Sequence, residues 1–428
     1  MGPQEREYEL VLFGATGHTG RLTAEHITTH LPSDLKWAVA GRSGDKLAAL
    51  VKDIKSLNPD RQQPSVEVAG LNKSELDALA RKTRLIIATV GPYAIYGTPV
   101  FEACATNGTH YLDVTGEIPW VSEMIQKYHE TAKANGAIMI PEIGVESAPS
   151  DMISWSLVSL LRAKASLATE EIILSVHEMK ATPSGGTGLT MASLFEQYSL
   201  KEFAAAAKPW ALSPLEGSKV PSSTGLLGVR TVPGLGLLTT SFSGTFNRAI
   251  VHRSWGLIGS GKFYGPKFHY SEYMRAKNTI LGFIIHIVLT LAIPALVFPP
   301  TRYFSFLRLK ANDTNNARWL LKKFLYAPGS GPSREQANRE SIEYRAIAVA
   351  DEDVSSPTRA FGRLRYEGSI YYMTGVFAAE AAIVILRSQE EILAKKLGGG
   401  VLTPATLGQP YVDRLEQAGV RIETKLLD

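Results

Sequence analysis

The chain has 428 residues, of which 45% are hydrophobic and 20% are charged. A chain of that composition buries at least one large core, which excludes a short peptide module and an intrinsically disordered protein. The formal net charge is only +4, so no excess of basic residues predicts a nucleic-acid partner. The length indicates two or three structural units.

The cysteine content and the first residues both bear on cellular location. Cys104 is the only cysteine, so the chain cannot form an intramolecular disulfide and lacks the thiols of a zinc finger or an iron–sulfur site. Residues 1–7 are polar and acidic and do not show the basic-then-apolar layout of a signal peptide. We therefore expect a location on the cytoplasmic side, and we predict no metal site.

Apolar, β-branched runs alternate with helical patterns over the first third of the chain. The predicted strands are Tyr8–Phe13, Lys36–Ala40, Val66–Ala69, Arg84–Val90, His110–Val114 and Ala137–Pro141. The predicted helices are Thr19–Leu31, Asp45–Leu57, Ser74–Lys82, Thr98–Asn107 and Glu117–Asn135, with Ser74 and Asp77 as a capping pair in the third. This alternation predicts an α/β fold with a doubly wound, Rossmann-type parallel sheet.

The pattern changes after Pro141 and predicts a second α/β lobe with a mixed sheet. The predicted elements are a helix from Ser147 to about Leu161, an antiparallel strand Glu171–Lys180, loops at 182–188 and 213–236, strands Ile342–Asp351 and Gly362–Glu367, and a buried helix Thr374–Arg387. We expect residues 1–145 to form the first domain, completed by about 370–428. Residues 146–369 then form a substrate and dimerisation domain.

A glycine-rich loop directly follows the first predicted strand and opens a helix. It reads Gly14-Ala15-Thr16-Gly17-His18-Thr19-Gly20. In this context the glycines allow a tight turn, a close approach to a pyrophosphate and close helix packing, and the helix N-terminus attracts phosphate. The candidate cofactor-binding residues of the loop are Gly14, Ala15, Thr16, Gly17, Thr19 and Gly20.

The end of the second predicted strand bears on which nicotinamide cofactor is bound. Sites selective for NAD(H) carry an acidic residue there, whereas this chain has Arg42 and Ser43. An arginine and a hydroxyl group attract a 2′-phosphate, so NADP(H) is favoured over NAD(H). The alternative is that Arg42 is only a solvated loop residue.

Two further strand ends supply candidate site residues. Val90, Gly91 and Pro92 end the fourth strand and form a wall of the predicted crevice. Tyr93, Tyr111, Glu117 and Asp151 are candidate proton donors in catalysis, and none of them is preferred by sequence alone. The alternative for Glu117 is a helix cap, and for Asp113 a salt bridge.

The ordered set of motifs resembles the saccharopine dehydrogenase family. It comprises GATGHTG at 14–20, AGR at 40–42, VGPYAIYG at 90–97, GTHYLDVTGE at 108–117 and GVESAPSD at 144–151. The likeness is to the branch of saccharopine dehydrogenase-like oxidoreductases and trans-acting enoyl reductases, and it extends through residues 185–187 to 399–405. The chain departs from this branch at Glu146 and Ala148, where relatives commonly have Asp and Ile.

The resemblance implies a Rossmann domain followed by an α/β substrate domain, with nicotinamide-dependent redox chemistry. In the enoyl reductase branch, NADPH reduces a carbon–carbon double bond in a lipid or polyketide that a partner synthase carries. The resemblance also implies association with membranes and lipid droplets.

One apolar segment stands apart from the rest of the second lobe. Thr279–Phe298 contains no Asp, Glu, Lys or Arg, and as a helix it would be about 30 Å long. Basic residues flank it on both sides, and Pro294 would bend it. One interpretation is a monotopic anchor at a membrane or lipid-droplet surface. The other is a helix buried at the lobe boundary or in a homodimer interface.

The resulting hypothesis is an NADP(H)-dependent oxidoreductase that reduces a small, hydrophobic, unsaturated substrate of the lipid or polyketide type. An alternative is a non-catalytic scaffold that binds NADPH at a membrane or lipid droplet. A third is an imine or carbonyl reductase.

Overall fold

A computed structural model describes residues 6–181, 197–219, 227–297 and 331–427. Within these ranges the strands form two seven-stranded sheets. The α/β prediction is confirmed: a parallel, Rossmann-type sheet is followed by a second, mixed sheet.

The first sheet is parallel and has helices on both faces. Its strands are β1 (Tyr8–Phe13), β2 (Trp37–Gly41), β3 (Ser65–Val68), β4 (Thr83–Ala88), β5 (His110–Asp113) and β6 (Ile138–Ile140). The helices are α1 (His18–His30), α2 (Gly44–Lys55), α3 (Lys73–Arg81), α4 (Tyr93–Tyr96), α5 (Thr98–Asn107) and α6 (Ile118–Ala134). The order β6-β5-β4-β1-β2-β3 reverses at β1, so a crevice opens at the carboxyl ends of β1 and β4.

Burial explains why the central strands read as continuous apolar runs. Leu10, Val11, Leu12 and Phe13 of β1 are all buried, because helices cover both faces of a parallel sheet.

The predicted capping pair of the third helix is wrong. Asn72 caps α3, and its side chain accepts a hydrogen bond from the Glu75 backbone N–H at 3.0 Å, because the helix begins one residue before Ser74.

The remaining chain builds the second sheet and the helices around it. Its elements are α7 (Ala148–Ala165), β7 (Thr169–Lys180), α8 (Leu200–Ala206), β8 (Val229–Val232), β9 (Gly236–Thr240), α9 (Gly244–Leu257), β10 (His269–Arg275), α10 (Thr279–Val297), α11 (Arg334–Ala337), β11 (Ser341–Ala350), β12 (Arg359–Glu367), α12 (Ile370–Arg387), α13 (Leu393–Lys396), β13 (Gly400–Val401), α14 (Gly408–Gln417) and β14 (Arg421–Leu427).

The second sheet has the order β14-β12-β11-β7-β10-β9-β8. The prediction that β7 is antiparallel holds for its pairing with β11, whereas β7 runs parallel to β10. β8 lies inside the predicted loop 213–236. The sequence did not predict it because β8 has no apolar run of its own and is held in the sheet by its pairing with β9. The predicted loop 182–188 lies outside the described residues.

The C-terminal segment divides between the two sheets. β13 pairs in parallel with β6 at the edge of the first sheet, and α12 packs on α1. β14, however, pairs antiparallel with β12 in the second sheet. The expectation that 370–428 completes the first domain therefore needs correction for the last strand, which pairs through its backbone and carries mostly polar side chains.

Two apolar helices differ in their surroundings. Among the described helices, α12 alone is long and apolar enough to cross a membrane, but 83% of it is buried inside the molecule, which is typical of a core helix. In α10 one face of the described part is open: Ile280 is 74% exposed, Val288 57% and Leu291 61%. This helix is therefore not buried at the lobe boundary of one chain.

Candidate functional site

The glycine loop between β1 and α1 has the shape of a phosphate cradle. Gly14 has φ +83°, and a Cβ on it would lie 2.6 Å from Val90 Cγ1. A Cβ on Gly20 would lie 2.5 Å from the Gly14 carbonyl oxygen. Gly17 precedes α1 and provides no side-chain cap, so the helix N-terminus is left for a bound anion. These residues fit the pyrophosphate of a dinucleotide.

The other predicted residues of the loop also lie at this sheet edge. Ala15 is fully buried, and Thr16 and Thr19 are partly exposed around the start of α1. Arg42 is exposed directly after β2, and Ser43 precedes α2 without capping it. Both are free to face a ribose that extends from the loop, as expected for the adenosine half of the cofactor.

The segment after β4 closes the crevice on the other side. Val90 contacts the glycine loop, Gly91 is exposed and Pro92 is buried. Thr89 joins the two segments, because its hydroxyl donates to the Phe13 carbonyl oxygen at 3.1 Å. The structure thus brings the predicted wall residues and the loop together.

Tyr93 and Glu117, two of the predicted proton donors, are held by backbone groups. The Tyr93 hydroxyl donates to the Ala88 carbonyl oxygen at 2.9 Å and accepts from the Val114 N–H at 3.3 Å. The Glu117 carboxylate accepts from the Tyr93 and Ala94 N–H groups at 2.6 and 2.8 Å. Glu117 is the N-cap residue of α6 but makes no side-chain cap on that helix. Its carboxylate instead accepts from the first N–H groups of α4, so the helix-cap alternative holds for a different helix.

The other two predicted proton donors are also buried. Tyr111 is fully buried and packs edge-on against Phe101, with the ring centroids 4.8 Å apart. Asp151 accepts from the Ser254 hydroxyl at 2.6 Å and from the Ala405 N–H at 2.8 Å. Asp151 thereby ties α7 to α9 and to the segment before α14. The catalytic roles of all four residues stay predictions.

A carboxyl cluster lies where the first sheet meets the second lobe. It consists of Asp113, Glu117, Glu142, Glu146 and Glu272. These groups lie close enough together for the negative charge of one to disfavour the ionisation of another. Asp113 accepts from the Thr115 and Glu142 N–H groups at 3.0 and 3.1 Å. Burial raises the pKa of Asp113 to about 7.

Glu272 on β10 is the most fully hydrogen-bonded member of the cluster. Its Oε1 accepts from Ser241 and Ser243, and its Oε2 accepts from Ser150, Tyr270 and Asn247, at distances between 2.6 and 3.0 Å. Five donors satisfy the lone pairs of a carboxylate. Glu272 therefore supplies a fixed negative charge at the lobe boundary.

Glu142 shows the opposite hydrogen-bonding pattern. The Asn247 amide NH₂ donates to Glu272, so its Oδ1 faces the Ser147 hydroxyl as an acceptor at 2.8 Å. The Ser147 hydroxyl lies 2.8 Å from Glu142 Oε2 as well, and its one proton can be donated to only one of the two acceptors. Burial raises the pKa of Glu142 well above the usual range, which favours the neutral acid.

Glu146 is the member of the cluster that is open to solvent. Its side chain is exposed, although burial among the surrounding atoms raises its pKa to about 7. A Cβ on Gly116 would lie 2.2 Å from Glu146 Oε2, so the carboxyl group lies against the segment that follows β5. Among the described residues it has no hydrogen-bond partner.

Sequence reasoning did not select Glu142, Glu146 or Glu272 as site residues. The first two follow β6, so their position after a parallel strand was a usable signal. Glu272 gave no such signal, because it lies on β10, a strand that the hydrophobic pattern did not predict.

Comparisons with known proteins identify the family. The model of the saccharopine dehydrogenase NADP binding domain matches residues 10–140. A Mycobacterium tuberculosis protein with a trans-acting enoyl reductase name is 31% identical over 442 residues, which cover 100% of both chains. The chain belongs to the saccharopine dehydrogenase family. A trans-acting enoyl reductase of Mycobacterium ulcerans is 29% identical, again over 100% of both chains, which confirms the branch that the motifs indicated.

A solved structure agrees with the architecture. Apo saccharopine dehydrogenase (L-Glu forming) from Saccharomyces cerevisiae superposes with a TM-score of 0.57 at 13% identity, covering 98% of this chain and 100% of that one. At that identity the match shows the fold alone. Together with the family and its NADP-binding domain, the site makes this member of the saccharopine dehydrogenase family an oxidoreductase that binds a nicotinamide dinucleotide.

Proposed function

We propose that this protein is an NADPH-dependent reductase of a carbon–carbon double bond in a hydrophobic acyl or polyketide substrate. The observation that carries the proposal is the similarity to relatives named as trans-acting enoyl reductases, which extends over both lobes and the whole of each chain. A shared dinucleotide-binding domain alone would fit many reactions.

The preference for NADPH over NADH rests on the end of β2. Arg42 is exposed there and Ser43 carries a free hydroxyl before α2. A guanidinium group binds a 2′-phosphate through charge-assisted hydrogen bonds. An acidic residue, which would bind the ribose of NAD(H), is absent between Gly41 and Gly44.

Different residues of the crevice have different roles in the proposed reaction. NADPH, when bound, supplies the hydride. The glycine loop and the start of α1 hold the pyrophosphate, and Val90, Gly91 and Pro92 hold the substrate side of the crevice. The carboxyl cluster supplies the acid groups at the same sheet edge. Addition of hydride to an enoyl thioester leaves an enolate, which needs a proton.

We also propose that the described part of α10 docks on a membrane or lipid-droplet surface on the cytoplasmic side. Ile280, Ile284, Val288 and Leu291 recur at helical spacing and form one exposed apolar face. The opposite face is fixed to the protein, because Thr239 donates to the Gly282 carbonyl oxygen at 2.7 Å. The exposed Arg275 and Lys277 precede the helix and suit anionic headgroups.

The names of the relatives suggest where the substrate comes from. A reductase that acts in trans receives its substrate from another protein, so we propose a partner synthase that presents the unsaturated chain. The exposed apolar helix supports a hydrophobic substrate that is delivered at a lipid surface.

The function is tested by NADPH oxidation with purified protein and three substrate panels: enoyl thioesters of increasing chain length, cyclic imines and aldehydes. We expect oxidation with long enoyl thioesters. Gly14→Val is the negative control, because its side chain would enter the space of Val90 and the cradle. Oxidation with imines or aldehydes alone would make the protein an imine or carbonyl reductase, and tight NADPH binding without oxidation would make it a scaffold.

A further inference from the structure

We propose that the carboxyl group of Glu146 is the catalytic acid, which donates the proton to the substrate carbon next to the one that receives the hydride. This inference rests on the proposed reductase function and deepens it. It names a residue that neither the motif pattern nor the family comparisons assign.

The first argument is access. Asp113, Glu117, Glu142 and Glu272 are buried, and Asp151 and Tyr93 are as well. Glu146 is exposed and lies at the carboxyl edge of the first sheet, where substrates bind in doubly wound folds. Of the five members of the carboxyl cluster, it is the one whose carboxyl group a substrate can touch.

The second argument is that three of the buried competing groups are occupied. Glu117 accepts two backbone hydrogen bonds, and the Tyr93 hydroxyl donates to a backbone carbonyl. Glu272 accepts from five donors and has no proton to give. Glu146 has no hydrogen-bond partner among the described residues, so its proton is available to an incoming substrate.

The third argument is electrostatic. Glu146 faces Glu117 from the segment before α6 and Glu272 from β10, and no cation contributes to its ionisation. Burial first, and then these two negative charges, raise the pKa of Glu146 to about 7. The group therefore holds a proton at a pH where an ordinary glutamate has lost it, and it can still release that proton.

The step is balanced as follows. The hydride adds to the β-carbon of the enoyl thioester, and the π electrons move to form an enolate. The O–H bond of Glu146 breaks, and a new C–H bond forms at the α-carbon. The products are the saturated thioester, the oxidised cofactor and a Glu146 carboxylate, which regains a proton from solvent because its side chain is exposed.

Gly116 positions this acid. A Cβ there would overlap the Glu146 carboxyl group at 2.2 Å, and φ at Gly116 is not in the left-handed region. Gly116→Ala therefore leaves the backbone unstrained but displaces the carboxyl group. We expect this variant to lower kcat while NADPH affinity, measured by fluorescence, stays unchanged.

The decisive experiment compares wild type, Glu146→Gln, Glu146→Asp and the surface control Glu130→Gln, whose side chain is 88% exposed. With the best enoyl thioester we expect Glu146→Gln to lower kcat by roughly 10²- to 10⁴-fold. In the wild type we expect kcat to fall as pH rises through about 7. This fall should be absent in Glu146→Gln. Glu146→Asp should restore part of the rate and of the pH dependence.

A second readout needs no turnover. Infrared difference titration of the NADPH-free protein should show carboxylic acid absorption that is lost near pH 7 in wild type. Glu146→Gln should reduce the amplitude of this loss, while the contributions of Asp113 and Asp151 remain. An active wild type with an unchanged Glu146→Gln rate and pH profile would overturn the role of Glu146 alone. A wild type inactive toward every enoyl thioester would overturn the proposed function, and the catalytic role with it.

Discussion

At the scale of single residues, the same side-chain type serves opposite purposes within a few ångströms. Glu272 accepts hydrogen bonds from five donors, whereas Glu142 has only Ser147 beside its carboxyl group, and burial raises the pKa of Glu142 well above the usual range. Glu142 also has φ +59°, a conformation that is rare for glutamate. Its neighbours therefore fix both its backbone and its protonation state.

Arg42 gives the sharpest prediction about the cofactor. Arg42→Ala removes the positive charge proposed to meet the 2′-phosphate, so we expect NADPH affinity to fall by about tenfold to a hundredfold. NADH affinity should change little, since NADH lacks that phosphate. Fluorescence titration with both cofactors measures the two dissociation constants, and equal losses for NADPH and NADH would refute the role of Arg42.

At the scale of elements, α12 and α10 show that composition does not decide where an apolar helix lies. A Cβ on Gly375 of α12 would lie 2.9 Å from the Thr23 Cα of α1, so the two helices approach closely. Glu380 of α12 is paired with His26 of α1 at 2.7 Å and with Arg414 of α14. Packing and pairing thus bury α12, whereas α10 keeps one apolar face open.

The open face of α10 gives a prediction about lipid binding. We expect wild type to float with vesicles of phosphatidylcholine and phosphatidylserine, and the double variant Ile284→Glu/Val288→Glu to remain unbound. Each of these side chains contributes roughly 1.5–3 kcal/mol when fully removed from water. The matched control is Val354→Glu, because Val354 is 55% exposed outside this helix.

The same variants distinguish a membrane from a second copy of the chain. If the double variant changes the mass measured by light scattering but not flotation, the helix forms a homodimer interface. Equal flotation of all proteins, with no change in mass, would also contradict the membrane proposal.

At the scale of the whole molecule, several buried acids make stability depend on pH. Burial raises the pKa of Asp113 and of Asp151 to about 7, and that of Glu142 well above the usual range. Because the folded state holds these protons more tightly than the unfolded chain, their contribution to stability is complete below the unfolded pKa values. It is lost as pH rises toward the folded ones.

Below about pH 6.5 the buried His110 and His252 oppose this effect, because burial lowers the pKa of each to about 3 and only the unfolded chain binds their protons. We therefore expect the free energy of unfolding to decrease between about pH 7 and about pH 8. Glu142→Gln keeps the size of the side chain but cannot ionise, so it should reduce this slope by up to about 1.4 kcal/mol per pH unit. Chemical denaturation at several pH values measures the slope. Glu130→Gln should leave it unchanged, and an identical slope in Glu142→Gln would show that Glu142 is ionised in the folded protein.

The sequence by itself determined the first sheet, the dinucleotide loop and the family. These features are local, because contiguous residues specify them. They are a strand buried on both faces, glycines at fixed spacing and the start of a helix. The loop residues and Arg42 were found for that reason, and the apolar stretch of α10 was evident from its composition.

Only the tertiary structure decided which carboxyl group is open, which is charged and which is neutral. Glu146 and Glu272 are 126 positions apart by residue number, and they come together because Ser150 and Asn247 hold Glu272 beside the segment that follows β6. Burial and hydrogen-bond polarity depend on such distant partners. That is why the sequence offered four equivalent candidates for the proton donor, Tyr93, Tyr111, Glu117 and Asp151. The fold buries each of them.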